Sequence, residues 1–204
     1  TAISVDGGGV GSDSVLASVD QDGSVHWVQH IVGGAFLPGT ATELSDGRIA
    51  VAGLGLVGFT FDPGGPNELA VAPTPDFDDA AYIAWYESDG TFSKVALITN
   101  FPGHDLRLAA GAMGSLYVMG SGLPTVTTMD GASQSLDSSG VYLAHFDASG
   151  TLSSLGQVIR GQAAALGALS VGDDQALFLT GEFRGSTTFF PGSAEERHEN
   201  PSAP

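Results

Sequence analysis

The stretch VYLAHFDASGTL, residues 141–152, decides the fold of this chain because it occurs three times in recognisable form. The other copies are SVLASVDQDGSV at residues 14–25 and AYIAWYESDGTF at residues 81–92. In each copy an apolar run meets a polar turn that ends in glycine, and apolar residues resume after it. Glycine supplies the positive φ that a hairpin turn with a bulge requires. Each copy therefore predicts a β-hairpin.

Glycines keep these copies in register over long distances. After each turn glycine a second glycine follows 30, 30 and 31 residues later, and a third follows after 11 more residues in all three copies. Along the chain these glycines are Gly23, Gly53, Gly64, Gly90, Gly120, Gly131, Gly150, Gly181 and Gly192. The pattern predicts three structural repeats, at residues 10–64, 77–131 and 137–192.

Four short strands are predicted in each repeat, two from the hairpin and two from segments such as RIAVAG and GFTFDPG. Four antiparallel strands in about 60 residues are typical of one propeller blade. We therefore expect an all-β chain, a single β-propeller domain or fragment of three four-stranded blades. Residues 1–9 are expected to form the last strand of a neighbouring blade, and residues 193–204 a polar tail.

Three blades are too few to close a ring, since propellers usually have four to eight. Two copies could complete one ring by self-association, or the chain could be a piece of a longer polypeptide. The polar ending SAEERHENPSAP favours the second alternative, a piece of a longer polypeptide.

The third repeat, VYLAHFDASGTL…ALFLTGEFRGSTTFFPG, resembles the bacterial β-propeller repeats called SBBP repeats. In that family a VFVAKYDASG-like hairpin is followed by GNVYVTGSFSGTVDFG-like strands. The resemblance extends over residues 8–192 and is weakest in the first repeat, where VLASVD lacks the usual aromatic residue before the turn. It implies a secreted or cell-surface bacterial protein. It implies no catalytic residues, because the family motif is structural.

The charge of the chain limits its partners. With 23 acidic and 6 basic residues the net charge is −17, which repels nucleic acid and anionic membrane surfaces. Divalent cations and basic proteins remain as partners. The absence of cysteine excludes disulfides and thiolate metal sites. No apolar run approaches the length of a membrane span, and no segment has the pattern of a signal peptide.

Two acidic segments are candidate calcium sites. Asp76, Asp78 and Asp79 lie in the segment DFDDA, and three carboxylates so close together suit a hard cation with oxygen ligands. A solvated loop is the other interpretation of this segment. The second candidate pairs Asp6 with Asp13, around the stretch GGGVGSDSV. That stretch fits a calcium-binding nonapeptide, but it occurs once rather than in tandem, which favours a connection between blades. Calcium is thus the only cofactor that the sequence indicates.

Other motifs indicate structure rather than chemistry. GLGLVG, residues 53–58, spells a dinucleotide fingerprint, but a strand and a proline turn follow it instead of a helix. His26 and His30 are predicted on one face of a strand without a visible third ligand. His104 and Asp105 are expected to form a turn. No catalytic residue is predicted.

Two functions remain open at this point. The leading hypothesis is a secreted or cell-surface, non-enzymatic module that binds or scaffolds a protein or glycan partner. The alternative is a propeller-based glycan hydrolase or lyase, in which carboxylates from different blades act as acid and base around one axis.

Overall fold

A computed structural model describes residues 13–32, 36–55, 58–71, 80–99, 106–122, 124–128, 131–192, 194 and 196–199. Within these ranges the chain is all-β, as predicted, and a single 3-10 turn at Ala112–Gly114 interrupts the strands. The strands are β1 Ser14–Val19, β2 Val25–Val32, β3 Phe36–Glu43, β4 Ile49–Gly55, β5 Phe59–Phe61, β6 Leu69–Val71, β7 Ala80–Tyr86, β8 Phe92–Thr99, β9 Arg107–Ala110, β10 Leu116–Gly122, β11 Thr125–Thr128, β12 Ser133–Ser135, β13 Gly140–Phe146, β14 Leu152–Val171, β15 Leu177–Phe189 and β16 Arg197–Glu199. Among the described residues no helix is long and apolar enough to cross a membrane.

The described strands form three antiparallel sheets. Sheet A has the order β1–β2–β5–β6, sheet B has the order β3–β4–β7–β8–β11–β12, and sheet C has the order β9–β10–β13–β14–β15–β16. Strand β16 lies within the predicted polar tail, whereas the predicted strand at residues 1–9 lies outside the described residues. The closed propeller ring and the number of blades stay predictions.

Each repeat, together with the strand that follows its last glycine, forms three hairpins rather than the four strands that we expected. The first hairpins are β1–β2, β7–β8 and β13–β14, and the third hairpins are β5–β6, β11–β12 and β15–β16. The second hairpins are β3–β4, β9–β10 and the pairing of the second half of β14 with the first half of β15. The sequence pattern did not predict the additional strands, because these strands are short or polar. Examples are β3 (FLPGTATE) and β12 (SQS).

In the first and second repeats the second hairpin does not join the sheet of its own first hairpin. Strand β4 of the first repeat pairs with β7 of the second, and β10 of the second repeat pairs with β13 of the third. The prediction that the strands of one repeat form one sheet is therefore wrong for the first and second repeats, while the described strands of the third repeat do share sheet C. This exchange links successive sheets, because the first repeat places strands in sheets A and B and the second repeat places strands in sheets B and C, whereas the described strands of the third repeat all lie in sheet C.

The turns of the first hairpins have the bulged geometry that the glycines predicted. In the second repeat the Glu87 N–H donates to the Thr91 carbonyl at 2.8 Å, and the Gly90 N–H donates to the Glu87 carbonyl at 2.9 Å. Gly90 has a φ of +87°, which a side chain would disfavour. The Asp89 carboxylate accepts the Thr91 N–H at 2.9 Å. The same backbone pattern closes residues 20–24 and 147–151.

The core lies between the sheets. One apolar cluster joins sheets A and B around Ile31, Phe61 and Tyr82, and a larger cluster joins sheets B and C around Trp85 and Phe146. A third cluster packs the second hairpin of the third repeat onto sheet C. Successive sheets therefore pack face to face; the interface of sheets A and B buries side chains from two repeats, and that of sheets B and C buries side chains from all three.

Candidate functional site

In the first and second repeats the repeated glycine of the second hairpin makes room for an aromatic ring. Gly53 lies directly opposite Tyr82, and Gly120 lies directly opposite Tyr142 in the same way. A Cβ atom on Gly53 would lie 2.6 Å from the Tyr82 Oη atom and 2.9 Å from the ring edge. Burial raises the pKa of both phenols above the ordinary range of tyrosine. Gly53 thus has a packing role, which agrees with a structural interpretation of GLGLVG.

The turn glycines Gly64 and Gly192 belong to a repeated motif that uses a glutamate. The Gly64 N–H donates to the Glu68 carboxylate, and the Gly192 N–H donates to the Glu196 carboxylate, each at 2.5 Å. Both glycines have positive φ, +78° and +77°. The spacing Pro-Gly-x-x-x-Glu occurs at residues 63–68 and again at residues 191–196, and this signal could have revealed the two glutamates.

The turns of the first hairpins form a line across the sheets, which we call the first turn row (residues 20–24, 87–91 and 147–151). Trp27 of sheet A packs against Gly90 of sheet B, and its indole N–H donates to the Ser88 carbonyl at 3.0 Å. Lys94 of sheet B packs against Gly150 of sheet C in the same manner. Trp27 and Lys94 each lie four residues after the turn glycine of their own repeat. The contacts between neighbouring turns of the row thus come from the same position of the first and second repeats.

The carboxylates of the first turn row accept hydrogen bonds within their own turns. The Asp22, Asp89 and Asp147 side chains accept backbone N–H groups of their own turns. Hydrogen bonds from Ser149 hold the pKa of Asp147 below its usual value, and the backbone N–H groups of Ser24 and Thr91 do the same for Asp22 and Asp89. These acids remain ionised at neutral pH and contribute to the negative surface of the protein.

The turns of the second hairpins form a second turn row (residues 44–48, 111–115 and 172–176). The Ser45 hydroxyl accepts the Gly114 N–H at 2.7 Å and donates to the Gly111 carbonyl at 3.2 Å. The Gln175 side chain accepts the Ala112 N–H at 2.9 Å. The first and second turns of this row are therefore each bonded to the turn of the next repeat.

Arg48 connects the two turn rows. Its guanidinium donates to the Asp46 carboxylate at 2.6 Å and to the carbonyls of Gly114 and Ala148 at 3.3 and 2.6 Å. The guanidinium also holds the pKa of Asp46 below its usual value. Sequence reasoning missed Arg48 because its partners are backbone carbonyls of two other repeats, 66 and 100 residues away.

The two histidines of β2 have separate partners. The His30 Nε2 atom lies 3.0 Å from the Asp13 carboxylate, and these side chains are 19% and 8% exposed. The His26 Nε2 atom lies 2.8 Å from the exposed Asp20 carboxylate. The structure thus places Asp13, a predicted calcium ligand, against an imidazole. An imidazole oriented by a largely buried carboxylate is an arrangement that general-base catalysis also uses.

The other predicted calcium ligands, Asp6, Asp76, Asp78 and Asp79, lie outside the described residues, as do His104 and Asp105. Within the described ranges no three histidine, aspartate or glutamate side chains converge as a metal site would require. The calcium sites therefore stay predictions.

No family model, curated protein or solved structure matches this chain. The resemblance to SBBP repeats accordingly stays a prediction.

Proposed function

We propose that this chain is a secreted or cell-surface, non-enzymatic module of the β-propeller type that binds or scaffolds a protein or glycan partner. The observation that carries the proposal is that the repeated polar groups of the chain form hydrogen bonds to its turns. The aspartates of the first turn row, the Ser45 hydroxyl and the Arg48 guanidinium all bond to turns. The aspartates fix the shape of their own turns, and Ser45 and Arg48 hold turns of successive sheets together, which is what a scaffold requires.

The propeller type is supported by the way in which the sheets follow one another. Sheets A, B and C contain the repeats in chain order, and their faces pack in the same order. Radial repetition of small antiparallel sheets produces a propeller, in which the loops at one end of the sheets commonly bind ligands. The two turn rows lie at such sheet ends. The extracellular location rests on the resemblance to SBBP repeats and on the strongly acidic composition.

Binding and catalysis can be separated in one experiment. The chain is immobilised and exposed to a panel of polysaccharides and purified extracellular proteins, and release of new sugar ends is measured in the same samples. The proposal predicts saturable binding to at least one member and no product. Binding to no member, or turnover at a constant rate, would contradict it.

The Asp13–His30 pair favours one alternative, a glycan hydrolase or lyase. In that case Asp13→Asn should abolish turnover, because the imidazole would lose the carboxylate that orients it. The matched control is Asp20→Asn, since Asp20 pairs with His26 in the same geometry at an exposed position. Turnover that falls only in the Asp13 variant would replace the scaffold proposal by an enzymatic one.

A further inference from the structure

The first repeat exposes a row of apolar side chains that the other repeats bury. In β1 and β2 the side chains of Val15, Val19 and Val25 are 55%, 54% and 46% exposed. The equivalent side chains of the second and third repeats are buried against the preceding sheet; they are Tyr82, Tyr86 and Phe92, and Tyr142, Phe146 and Leu152. Among the described residues no preceding sheet covers sheet A. In the described part of the chain, one apolar face of sheet A therefore has no second sheet against it, unlike the equivalent faces of sheets B and C.

The same sheet also has an open edge. Strand β7 pairs with β4 of the preceding repeat, and β13 pairs with β10 in the same way. The equivalent strand β1 pairs with β2 and is the edge strand of sheet A in the described part of the chain. Open edges offer unpaired N–H and C=O groups to another strand.

The matching strand lies at the other end of the chain. The first half of β15 contains LFLTG, the counterpart of IAVAG in β4 and of LYVMG in β10. Whereas β4 and β10 have neighbours on both sides, Leu177–Gly181 pairs with β14 alone among the described strands. Its outward side chains Phe178 and Thr180 are exposed, and the counterparts Ala50 and Ala52 in β4 are fully buried.

We propose that the second hairpin of the third repeat pairs with β1 of a second copy of this chain, head to tail. The internal pairings fix the register. Gly53 lies opposite Tyr82 and Ile49 opposite Tyr86, so Gly181 lies opposite Val15 of the second copy and Leu177 lies opposite its Val19. The pairing covers both the open edge of β1 and its exposed valines with sheet C of the first copy.

A second copy is the partner because this chain carries both complementary halves of the contact. A contact between different surfaces of identical chains is heterologous, so it produces a closed ring or an open filament. Two properties make it weaker than the internal junctions. Val15 fills less space over Gly181 than Tyr82 fills over Gly53, and a net charge of −17 on each copy opposes association. We therefore expect association to increase with salt, which screens the repulsion.

The inference uses strand edges and apolar faces, so it does not depend on the proposed function. Cysteine cross-linking tests its register, since the natural chain has no cysteine. Facing residues of antiparallel strands have Cα atoms close enough for a disulfide. Mixing a Val15→Cys variant with a Gly181→Cys variant under mild oxidation should give a linked dimer. Neither variant alone should give one. Val15→Cys mixed with Thr180→Cys is the off-register control, because Thr180 faces the other side of the sheet.

A charge variant tests the interface without cysteines. Val15→Lys reduces the repulsion between copies, yet it should weaken association at least tenfold in sedimentation experiments because it places an ammonium group against an apolar face. Met113→Lys is the matched control, since Met113 is also exposed and apolar but lies in the second turn row. A monomer at all protein and salt concentrations, or efficient linkage of Val15→Cys to itself, would overturn the proposal. Neither result would affect the proposal that the ends of the sheets, where the two turn rows lie, bind other partners.

Discussion

A glycine opposite a tyrosine is the residue-level feature that holds neighbouring repeats together. We predict that Gly53→Ala lowers the free energy of unfolding by about 1–3 kcal/mol, the usual cost of overpacking a tight site. The new Cβ atom would lie within 3 Å of three atoms of the buried Tyr82 side chain. Denaturant titration of the purified variant measures the loss.

The control for this substitution is Gly156→Ala in β14. No atom lies within 4 Å of a Cβ built on Gly156, and its φ does not favour glycine. Alanine there removes backbone freedom from the unfolded chain, so stability should stay equal or rise. Equal losses in both variants would show that the tyrosine contact is not the cause.

Buried phenols give the protein a specific weakness at alkaline pH. Burial raises the pKa of Tyr82, Tyr86 and Tyr142, so the unfolded chain releases protons near pH 10 that the folded chain retains. Their contribution to stability is therefore complete below about pH 10 and decreases as pH rises above it. Unfolding monitored by urea across this range should show the decrease.

Tyr86→Phe isolates one of these groups. The Tyr86 hydroxyl is buried and has no hydrogen-bond partner among the described residues, so its removal costs little at neutral pH. The variant should lose less stability than the natural chain between neutral and alkaline pH. An unchanged slope would mean that Tyr86 ionises freely in the folded state.

At the scale of elements, Trp27 attaches sheet A to the turn of the next hairpin. We predict that Trp27→Ala destabilises the chain by about 1–3 kcal/mol, less than the ~3–5 kcal/mol typical of a fully buried tryptophan, because the indole is half-buried. Hydrogen exchange should locate the loss in β1, β2 and β5. The matched control is Ser154→Ala, because Ser154 occupies the equivalent position in the third repeat and is exposed. Uniform loss of protection across all three sheets would refute a local role for Trp27.

The elements also show which parts of the fold the sequence could predict. The turns at residues 87–91 and 147–151 were predictable because glycine and aspartate at fixed offsets determine them locally. The placement of β4 in the sheet of the next repeat could not be predicted, because the sequence RIAVAG has the same pattern whichever strand it pairs with. Gly53 and Gly120 were found by repetition alone, but their tyrosine partners depend on that pairing across repeats. The contacts of Arg48 likewise depend on which turns come together.

At the scale of the whole molecule, the open question is what balances a net charge of −17. Three of the described basic side chains, Arg48, Lys94 and Arg107, contact a neighbouring repeat. Arg107 of β9 donates to the carbonyls of Leu166 and Gly167 in the neighbouring hairpin at 3.1 and 2.6 Å. Described acidic side chains such as Asp22, Asp89 and Glu182 are exposed, so added salt should stabilise the fold by screening their repulsion.

A bound cation would act in addition to that screening. The hypothesis is that calcium binds at Asp76, Asp78 and Asp79, or at the connection that contains Asp6 and Asp13, where carboxylates are dense in the sequence. A ligand that binds only the folded state raises the melting temperature by mass action, so calcium should stabilise more than magnesium or sodium at equal ionic strength. Asp78→Asn should remove that excess if DFDDA is the site, whereas Asp13→Asn should remove it if the connection is the site.

Since Asp13 already pairs with His30, calcium binding at Asp13 must compete with the imidazole. The stabilisation by calcium should therefore grow when His30 is replaced by glutamine. Equal stabilisation by all three salts would leave both segments as solvated acidic surface.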